Sequence, residues 1–370
     1  MVLARDSGGG TPLLAIIVPT FNERENVAEL VKRIDDSLVG IEWEVVFVDD
    51  DSPDGTVRSL QALSRSNRRV RVLHRIGRRG LASAVVEGVL STTSPYIAVM
   101  DADLQHDESI LPSMLERLCS TDSDVVLATR YTQPGGAEGL EGGRRFVSSF
   151  ATKIAHVVLR TKVSDPMSGF FMLKREAFDR SVRRLSNIGY KIFLDILMSA
   201  RPPLTVAEVP YVFRSRVHGE SKFDFAVTWE YLLLLLDKTV GHIIPARLVT
   251  FLGIGGLGVF VHMLVLGTLN VAFGVGFVVS QSVATVVAMT FNFFANNILT
   301  YYDKRLKGFW PIARGLLSFY AVCAIGAFSN VGIASVLFVR DYNWWLSGLA
   351  GIVLGAVWNY AASSTFTWRK

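Results

Sequence analysis

The stretch YIAVMDADLQH (residues 96–106) carries the pattern that decides the fold of the first half of the chain. It opens with a short apolar run typical of a buried β-strand and becomes polar at Asp101. Asp101 and Asp103 are two residues apart, and Gln105 follows at the same interval. In an open parallel sheet, ligands bind beyond the carboxyl ends of the strands. We therefore expect this acidic segment to line a ligand site.

Three similar transitions from an apolar run to a polar cluster precede this one. The apolar runs cover residues 14–18, 44–48 and 70–73, and a helical pattern follows each of them. Strands that alternate with helices predict an α/β, Rossmann-like domain with a mostly parallel sheet. The polar clusters at the four strand ends lie at 20–23, 49–51, 74–79 and 101–105, and the predicted helices lie at 24–38, 54–65 and 79–92.

The acidic cluster has the chemistry of a metal and diphosphate site. Asp101, Asp103 and Gln105 offer the oxygen ligands that Mg²⁺ and Mn²⁺ prefer, and such ions bridge carboxylates to phosphate oxygens. An Asp-x-Asp pattern alone also fits a turn or a helix cap, but its position after a strand favours the metal site. We interpret His106 as a solvated loop histidine rather than a ligand. The sequence contains no G-x-x-x-x-G-K-[ST] motif, so it does not indicate an ATP-hydrolysing P-loop.

Charge is distributed unevenly over the 370 residues. The chain contains 38 Lys and Arg and 33 Asp and Glu, half of its residues are hydrophobic, and its mean hydropathy is +0.35. Only ten charged residues follow residue 246, eight of them basic. The basic excess therefore belongs to an apolar region, which argues against a nucleic-acid-binding module. The two cysteines, Cys119 and Cys323, exclude a framework of several disulfides.

Four uncharged segments of the second half are long enough to cross a bilayer, which takes about 20 residues. Basic residues lie before the first segment, between the second and third, and at the C-terminus. By the positive-inside rule, both termini and the 301–314 loop are predicted to be cytoplasmic. The predicted spans cover about 248–270, 276–300, 315–339 and 344–366.

The remaining segments give the domain organisation. Residues 1–12 lack the apolar core of a secretory signal and are predicted to be a disordered leader. Residues 225–240 are apolar but contain Glu230 and Asp237, which predicts an amphipathic helix lying in the membrane interface. The predicted domains are an α/β domain at 13–224, an interface helix and linker at 225–246, and a transmembrane domain at 247–370.

The transmembrane domain contains polar and small residues whose role has two interpretations. The G-x-G-x-x-G pattern at 253–258 spells a dinucleotide fingerprint, but inside an apolar span it indicates close helix packing. Interhelical hydrogen bonding is the favoured interpretation of the polar residues at membrane depth, and a lipid-handling role is the alternative. These residues are His262, Asn292, Asn296 and Asn297.

Six segments give the first half a specific resemblance. The chain resembles the dolichol- and polyprenyl-phosphate mannosyltransferases, which are inverting family-2 glycosyltransferases with the GT-A fold. The four-span tail resembles the GtrA-like membrane domain fused to some prokaryotic members, which implies a prokaryotic plasma membrane. The segments are PTFNERENVAEL (19–30), VDDDSPDGT (48–56), DADLQH (101–106), DPMSGFF (165–171), GYKIFLDIL (189–197) and HGESK (218–222).

The resemblance implies a donor site and a metal site. It places the nucleotide base and ribose on the first two segments, and the metal and diphosphate on DADLQH, with Ala102 lining the site. Phe21 stands where family members more often have Tyr, and Asp107-Glu108 replaces a pair of prolines that commonly follows DADLQH. The donor residues are Pro19, Phe21, Glu23, Val48, Asp50, Asp101, Ala102, Asp103, Lys191, Arg216 and Lys222, and the metal ligands are Asp101, Asp103 and Gln105. Among the donor residues, Lys191, Arg216 and Lys222 match basic positions that meet the phosphates of the donor or of the acceptor.

The resemblance also implies a site for the acceptor phosphate. Arg130, Arg144 and Ser148 match the acceptor-phosphate positions, and Arg130 joins the metal ligands as a catalytic residue. Cationic groups suit a lipid monophosphate because they form charge-assisted hydrogen bonds to its oxygens. Asp165 is predicted to be a turn or cap residue that supports the acceptor loop. For Asp195, orienting a base and a structural role are equally open.

The activity that the resemblance implies is transfer of mannose from GDP-mannose to a polyprenyl or dolichyl phosphate embedded in membrane lipid. An ionised phosphate is already a nucleophile, so the reaction requires no strong general base. A single displacement inverts the configuration at the sugar C1. Two alternatives remain: a UDP-sugar donor such as UDP-glucose, and a non-catalytic binding module attached to a lipid-linked sugar flippase.

Overall fold

The computed structural model describes residues 11–130, 163–186, 191–214, 225–240, 244–340 and 354–369. The contacts divide the chain into two compact units, Met1–Thr239 and Val240–Lys370.

Within the described residues, the first unit contains a seven-stranded sheet in the order β3-β2-β1-β4-β6-β5-β7. The pairs β1/β2, β1/β4, β2/β3 and β5/β7 are parallel, whereas β6 runs antiparallel to β4 and β5. The predicted α/β domain with a mostly parallel sheet is confirmed. The strands are β1 (Leu14–Thr20), β2 (Trp43–Asp49), β3 (Val70–His74), β4 (Tyr96–Val99), β5 (Val125–Thr129), β6 (Phe171–Lys174) and β7 (Val206–Pro210).

The helices of this unit connect the strands. The three helices predicted from the sequence are present, and their ends lie within three residues of the predicted ones. The helices are α1 (Val27–Ser37), α2 (Thr56–Ser66), α3 (Leu81–Leu90), α4 (Leu111–Ser120), α5 (Arg175–Val182), α6 (Ile192–Ser199) and α7 (Phe225–Val240).

The sheet is buried on both faces, because successive side chains of a strand point to opposite sides. Ile16 of β1 belongs to a core cluster with residues of α1 and α4, and Ile17 belongs to a second cluster with residues of α3 and α6. Helix α3 approaches the sheet so closely that a methyl group at Gly88 would lie 2.5 Å from Ile17 Cγ2. Dense packing on both faces fixes the strand ends that carry the polar clusters.

Helix α7 packs against the α/β domain. Tyr231, Leu234 and Leu235 form a buried cluster with Leu194 of α6. Lys238 Nζ, near the end of α7, lies 2.6 Å from the carboxylate of the fully buried Asp195. The helix predicted to lie in the membrane interface is thus attached to the α/β domain, and its contact with lipid stays a prediction.

The second unit consists of apolar helices. Among the described residues, three helical stretches are long and apolar enough to cross a membrane: Ala246–Ala272, Val278–Thr300 and Phe309–Gly326. They correspond to the first three predicted spans, and the first part of the fourth lies outside the described residues. The helices are α8 (Ala246–Gly267), α9 (Phe277–Ala295), α10 (Phe309–Val339) and α11 (354–362).

The membrane unit has an internal repeat that relates α8 and α9 to α10 and α11. A π-helical turn follows each of α9 and α11, at Asn296–Thr300 and at Ser363–Thr367, and the two turns are 67 residues apart. Each turn leads into an aromatic residue, Tyr301 or Trp368, and these two rings stack with centroids 4.1 Å apart.

Side-chain contacts follow the same repeat. Phe251 of α8 packs on Tyr360 of α11 with ring centroids 5.7 Å apart, and the equivalent pair Phe319 and Phe293 are 5.9 Å apart. Each pair joins a residue of one repeat to a residue of the other. Equivalent residues are 68 apart between α8 and α10 and 67 apart between α9 and α11, and the two helix pairs pack on each other through equivalent side chains.

Trp368 is fully buried. Its Nε1 donates a hydrogen bond to Asn297 Oδ1 at 3.0 Å, and that oxygen also accepts from the backbone N–H of Leu306 at 2.9 Å. Asn297 thus ties together three segments of the unit. These contacts agree with the helix-packing interpretation of the polar residues at membrane depth.

Candidate active site

The polar clusters meet at one edge of the sheet because β2, β1 and β4 are parallel neighbours. Thr20 pairs with Asp49 across β1 and β2, and the N–H of Asp50 donates to Thr20 O at 3.1 Å. On the other side, the N–H of Met100 donates to Ile17 O at 3.2 Å, which sets Asp101 beside the end of β1. The geometry agrees with the expectation that these clusters form one ligand-binding edge.

A cavity of about 250 Å³ opens at this edge. Its titratable lining comes from four segments that are far apart in the sequence, and consists of Asp101, His106, Arg130, Lys191 and Tyr211. The cavity therefore brings a partly exposed carboxylate next to two cationic side chains. Such a mixture suits a ligand that carries both a bound cation and a phosphate.

His106 is buried, and its interpretation as a solvated loop histidine was wrong. It is 4% exposed, with ring contacts to Phe170 and Phe213. Its Nε2 lies 3.3 Å from Asp101 Oδ2, and its Nδ1 lies 3.1 Å from the Tyr211 hydroxyl. The apolar side chains around it hold the ring in place, so His106 fixes the orientation of the Asp101 carboxylate.

Asp103 and Gln105 follow in a tight turn. Leu104 has φ +61°, a left-handed conformation that is unfavourable for a branched side chain. The turn lets the backbone N–H of Gln105 donate to Asp103 Oδ1 at 3.2 Å. The amide Nε2 of Gln105 donates to Arg214 O at 3.2 Å. Strain of this kind persists where the surroundings enforce it, commonly at functional sites.

The donor set of the acidic segment fits a hard divalent cation. In the described part of the chain, no group of three or more His, Cys, Asp and Glu side chains is arranged to hold a metal. Asp101, Asp103 and Gln105 supply two carboxylates and an amide oxygen, and Mg²⁺ in particular is commonly held by one or two carboxylates together with substrate phosphates. The residues therefore fit a metal whose remaining ligands come from the substrate.

Arg130 and Lys191 form the basic side of the cavity. The Nε and a terminal nitrogen of Arg130 both donate to Asp165 Oδ2, at 3.2 and 3.0 Å. Asp165 is 1% exposed and also accepts from the N–H of Met167 at 3.1 Å. Asp165 therefore organises a turn, as predicted, and in addition it orients the Arg130 guanidinium. The Arg130 guanidinium also lies 4.8 Å from the ring centroid of Phe213.

Lys191 lies at the start of α6, and its Nζ donates to Met167 O at 3.3 Å. Burial lowers the pKa of Lys191, while the carboxylates of Asp165 and Asp101 act in the opposite direction. Arg130 adds to the lowering by repelling the protonated ammonium. An anionic ligand between the two bases would stabilise the charged form of Lys191.

The predicted donor residues of the first two segments lie at the ends of β1 and β2. Pro19 pairs with Val48 across the two strands, and both precede the polar loops. The ring of Phe21 lies under the guanidinium of Arg79, 4.1 Å from its centroid. The N–H of Glu23 donates to the Thr56 hydroxyl at the start of α2, at 3.0 Å.

Asp50 is 7% exposed and is held by the loop that follows β3. Its Oδ2 accepts from the N–H of Gly80 at 2.7 Å, and its Oδ1 lies 3.1 Å from Nε of the buried Arg75. Burial raises the pKa of Asp50, and the hydrogen bond from Gly80 and the charge of Arg75 oppose that shift. The sequence analysis does not name Arg75 or Arg79 as site residues. Their position in the polar cluster after the third strand is the sequence feature that could have identified them.

Two family models cover most of the chain. Residues 15–182 match glycosyl transferase family 2, and residues 250–368 match the GtrA/DPMS transmembrane domain. The dolichol-phosphate mannosyltransferase of Pyrococcus furiosus is 35% identical over 359 residues, which cover 96% of this chain and 99% of that protein. The chain belongs to the dolichol-phosphate mannosyltransferase family. The Saccharomyces cerevisiae member is 34% identical over 247 residues, which cover 64% of this chain and 91% of the yeast protein.

Solved structures agree with the fold. Glucosyl-3-phosphoglycerate synthase from Mycobacterium tuberculosis, in complex with Mn²⁺, UDP-glucose and phosphoglyceric acid, superposes with a TM-score of 0.50. It is 18% identical, and the match covers 61% of this chain and 79% of that one. At this identity the likeness concerns the fold alone, and it is consistent with a GT-A catalytic domain.

In this dolichol-phosphate mannosyltransferase family member, the cavity brings together Asp101, Arg130 and Lys191, and Asp103 and Gln105 follow Asp101 on the same segment. Ala102 is 3% exposed and belongs to the hydrophobic core beneath the site. Four further predicted site residues, Arg144, Ser148, Arg216 and Lys222, lie outside the described residues.

Asp195 has contacts that favour a structural role. Its carboxylate accepts from the N–H of Ser186 at 2.9 Å and from the Ser199 hydroxyl at 3.1 Å, and it forms an ion pair with Lys238. It is fully buried, and burial raises its pKa. These partners belong to the attachment of α7 rather than to the cavity.

Proposed function

We propose that the chain transfers mannose from GDP-mannose to a polyprenyl monophosphate, with inversion at the sugar C1, using Mg²⁺ or Mn²⁺. The observation that carries the proposal is the cavity beside Asp101, which holds Arg130 and Lys191 next to the acidic segment. The family relationship, which extends over both the catalytic unit and the membrane unit, supports mannose as the sugar and a dolichyl-type phosphate as the acceptor.

Asp101, Asp103 and Gln105 would hold the metal together with the diphosphate of the donor. A cation bound there supplies a Lewis acid that neutralises charge on the departing nucleoside diphosphate. His106 contributes by fixing Asp101, because its ring is buried and faces that carboxylate. Phe21, Asp50, Glu23, Pro19 and Val48, at the ends of β1 and β2, would bind the nucleoside.

Arg130 and Lys191 would bind the phosphate of the acceptor lipid. Asp165 presents the Arg130 guanidinium in one orientation, and an oriented guanidinium binds phosphate oxygens by paired hydrogen bonds. Two cations also offset the repulsion between two anionic substrates. Arg144, Ser148, Arg216 and Lys222 would add to this phosphate-binding set.

The chain needs to position the acceptor oxygen in line with C1 and to stabilise the leaving group. The acceptor phosphate is ionised at neutral pH and attacks directly, so no side chain has to remove a proton from it. His106 is engaged by Asp101 and Tyr211, which agrees with a positioning role. A single displacement on an α-linked donor gives a β-linked mannosyl phosphate.

The membrane unit would hold the catalytic unit beside its lipid acceptor. The basic residues Lys304, Arg305, Lys307 and Arg314, between the second and third spans, support a cytoplasmic loop. We therefore place the catalytic unit and both termini in the cytoplasm of a prokaryote, with residues 225–246 as the connection at the plasma-membrane surface.

The direct test incubates full-length protein in detergent with a polyprenyl phosphate, Mg²⁺ or Mn²⁺, and labelled GDP-mannose or UDP-glucose in parallel. We expect label to enter the organic phase from GDP-mannose only. Label from UDP-glucose alone would refute the donor assignment while leaving the reaction class intact. The anomeric configuration of the product, determined by NMR, tests inversion.

Asp103→Asn tests the metal assignment and the non-catalytic alternative together. The variant should retain the fold and lose transfer by at least about a hundredfold, since the charge of one of the two carboxylate ligands is removed. Transfer at the wild-type rate would contradict the metal site. Absence of transfer in the wild type with every donor would favour a binding module.

A further inference from the structure

Arg214 lies beside the end of the acidic segment and contacts the four consecutive residues 105–108. The N–H of Arg214 donates to Gln105 O at 2.9 Å, and the Gln105 amide Nε2 donates back to Arg214 O at 3.2 Å. The guanidinium donates to Asp107 and Glu108, each at 2.7 Å, and to His106 O at 3.3 Å. One residue thus fixes the backbone, a side-chain amide and two carboxylates of residues 105–108.

The ion pair with Glu108 is required by burial. Glu108 is 1% exposed, and its Oε1 is buried without a hydrogen-bond partner in the described part of the chain. A buried carboxylate without a cationic partner is strongly destabilising. Arg214 supplies that partner through a short contact to the other oxygen, Oε2. The guanidinium is consequently held in one position rather than moving freely in solvent.

The contact with Gln105 determines which atom of its amide remains for a metal. Arg214 O is a carbonyl oxygen and accepts hydrogen bonds only, so the group that faces it must be the amide NH₂ of Gln105. The amide oxygen Oε1 is then the atom left to coordinate a cation. Without the Arg214 carbonyl at this position, the amide could present either its oxygen or its nitrogen.

Asp107 and Glu108 follow His106 directly, and both are ionic partners of Arg214. The loop at residues 105–108 is therefore held by charges that converge on Arg214.

We propose that Arg214 is a positioning residue for the metal site, which holds residues 105–108 so that Gln105 presents its oxygen to the divalent cation. The inference rests on the proposed metal role of Asp101, Asp103 and Gln105. It adds a residue outside the ligand set, on the segment after β7, whose effect is exerted through Gln105.

The test measures Mn²⁺ binding to full-length protein in detergent by electron paramagnetic resonance, in the presence of GDP. Arg214→Met keeps the main-chain carbonyl but removes the guanidinium that holds residues 106–108, so Gln105 is no longer fixed against that carbonyl. Mn²⁺ binding should weaken about 10- to 100-fold, the range seen when groups that orient metal ligands are removed. The matched control is Arg180→Met, since Arg180 also forms a surface ion pair, with Asp124, on a helix away from the cavity. The control should bind Mn²⁺ as the wild type does.

A double-mutant cycle separates positioning from stability. Gln105→Ala should weaken Mn²⁺ binding by itself, and Arg214→Met should then cause little further loss, because its effect passes through Gln105. Additive losses of Mn²⁺ affinity in the double variant would overturn the proposal that Arg214 acts through Gln105. Arg214→Met alone leaves the charges of Asp107 and Glu108 unpaired. The triple variant Asp107→Asn, Glu108→Gln and Arg214→Met removes those charges, so it should be thermally more stable than Arg214→Met but bind Mn²⁺ no more tightly.

The failures are distinguishable. Wild-type protein that binds no Mn²⁺ would overturn the proposed metal role itself. Wild-type binding that persists unchanged in Arg214→Met, with a lowered melting temperature, would overturn only the positioning role and leave Arg214 as a structural partner of Glu108.

Discussion

Gly169 lies directly against the carboxylate of Asp101. A methyl group at Gly169 would lie 2.9 Å from Asp101 Oδ2 and 3.5 Å from Oδ1. The DPMSGFF segment therefore leaves room for the carboxylate by omitting a side chain, and His106 Nε2 lies 3.3 Å from the same oxygen. The position of Asp101 depends on both neighbours.

Gly169→Ala should displace the Asp101 carboxylate and reduce transfer with little loss of stability. The added methyl meets the far end of a rotatable side chain, so Asp101 can turn away from it and the core need not move. A displacement of about 1 Å at a catalytic group can reduce the rate about a hundredfold. Rate and melting temperature should be measured together with Gly253→Ala, because a methyl at Gly253 meets nothing within 4 Å. A transfer rate equal to that of the wild type in Gly169→Ala would contradict the requirement for a residue without a side chain beside Asp101.

The lowered pKa of Lys191 predicts an alkaline limit to acceptor use. Burial and Arg130 lower the pKa, against the opposing effect of Asp165 and Asp101. Lys191 therefore loses its charge at a lower pH than the ordinary value of 10.5, and acceptor binding should weaken as pH rises through the lowered pKa.

The same shift has a defined effect on stability. Between the lowered pKa and 10.5 the unfolded chain binds more protons at this position, so the contribution of Lys191 to stability increases as pH rises. Activity and stability should thus change in opposite directions in that window. Lys191→Arg, which stays charged, should move the fall in acceptor affinity to higher pH. An unchanged alkaline limit would exclude Lys191 as its cause.

The sequence predicted the ligand-binding edge of the sheet well, because the short apolar runs indicate the strands and the polar residues after them indicate the strand ends. The runs before Thr20, Asp49 and Asp101 are apolar and short, and parallel pairing places their ends together. It failed at His106, since a histidine between polar residues gives no indication that Phe170 and Phe213, far along the chain, enclose its ring. Burial that arises from distant segments cannot be inferred from local pattern.

Arg214 and the membrane repeat illustrate two further cases. The partners of Arg214 are more than 100 residues away, and only their charges, Asp107 and Glu108 where prolines are common, gave a signal. The repeat was visible in the sequence, because Asn292 and Asn359 begin similar segments 67 residues apart. Comparison of the chain with itself would have found it.

Lys238→Met should destabilise the catalytic unit by about 3–5 kcal/mol at neutral pH, because it leaves Asp195 buried without its cationic partner. Burial already raises the pKa of Asp195. Loss of Lys238 would raise the pKa of Asp195 further. The variant therefore keeps its stability below the pKa that Asp195 has in the unfolded chain, and loses stability as pH rises through the higher pKa that Asp195 has in the folded chain. Thermal melts at pH 5 and pH 8 should show a larger deficit at pH 8.

The control for this prediction is the double variant Asp195→Asn/Lys238→Met. It carries no buried charge and should recover much of the loss, with a deficit that no longer depends on pH. Equal deficits in the single and double variants would contradict the ion-pair explanation and assign the effect to lost packing of the lysine side chain.

Two glycines at equivalent places in the membrane repeat predict matched defects. A methyl at Gly258 would lie 2.2 Å from Asn292 Oδ1, and a methyl at Gly326 would lie 2.1 Å from Asn359 Oδ1. Each glycine therefore allows one helix to meet the asparagine of the next, as small residues do in membrane helix pairs. Because the two contacts are equivalent, Gly258→Leu and Gly326→Leu should each cost about 1–3 kcal/mol and lower the melting temperature in detergent by similar amounts. Gly253→Leu, in open space, should not. A lowered melting temperature in only one of the two variants would show that the two contacts are equivalent in geometry but not in their contribution to stability.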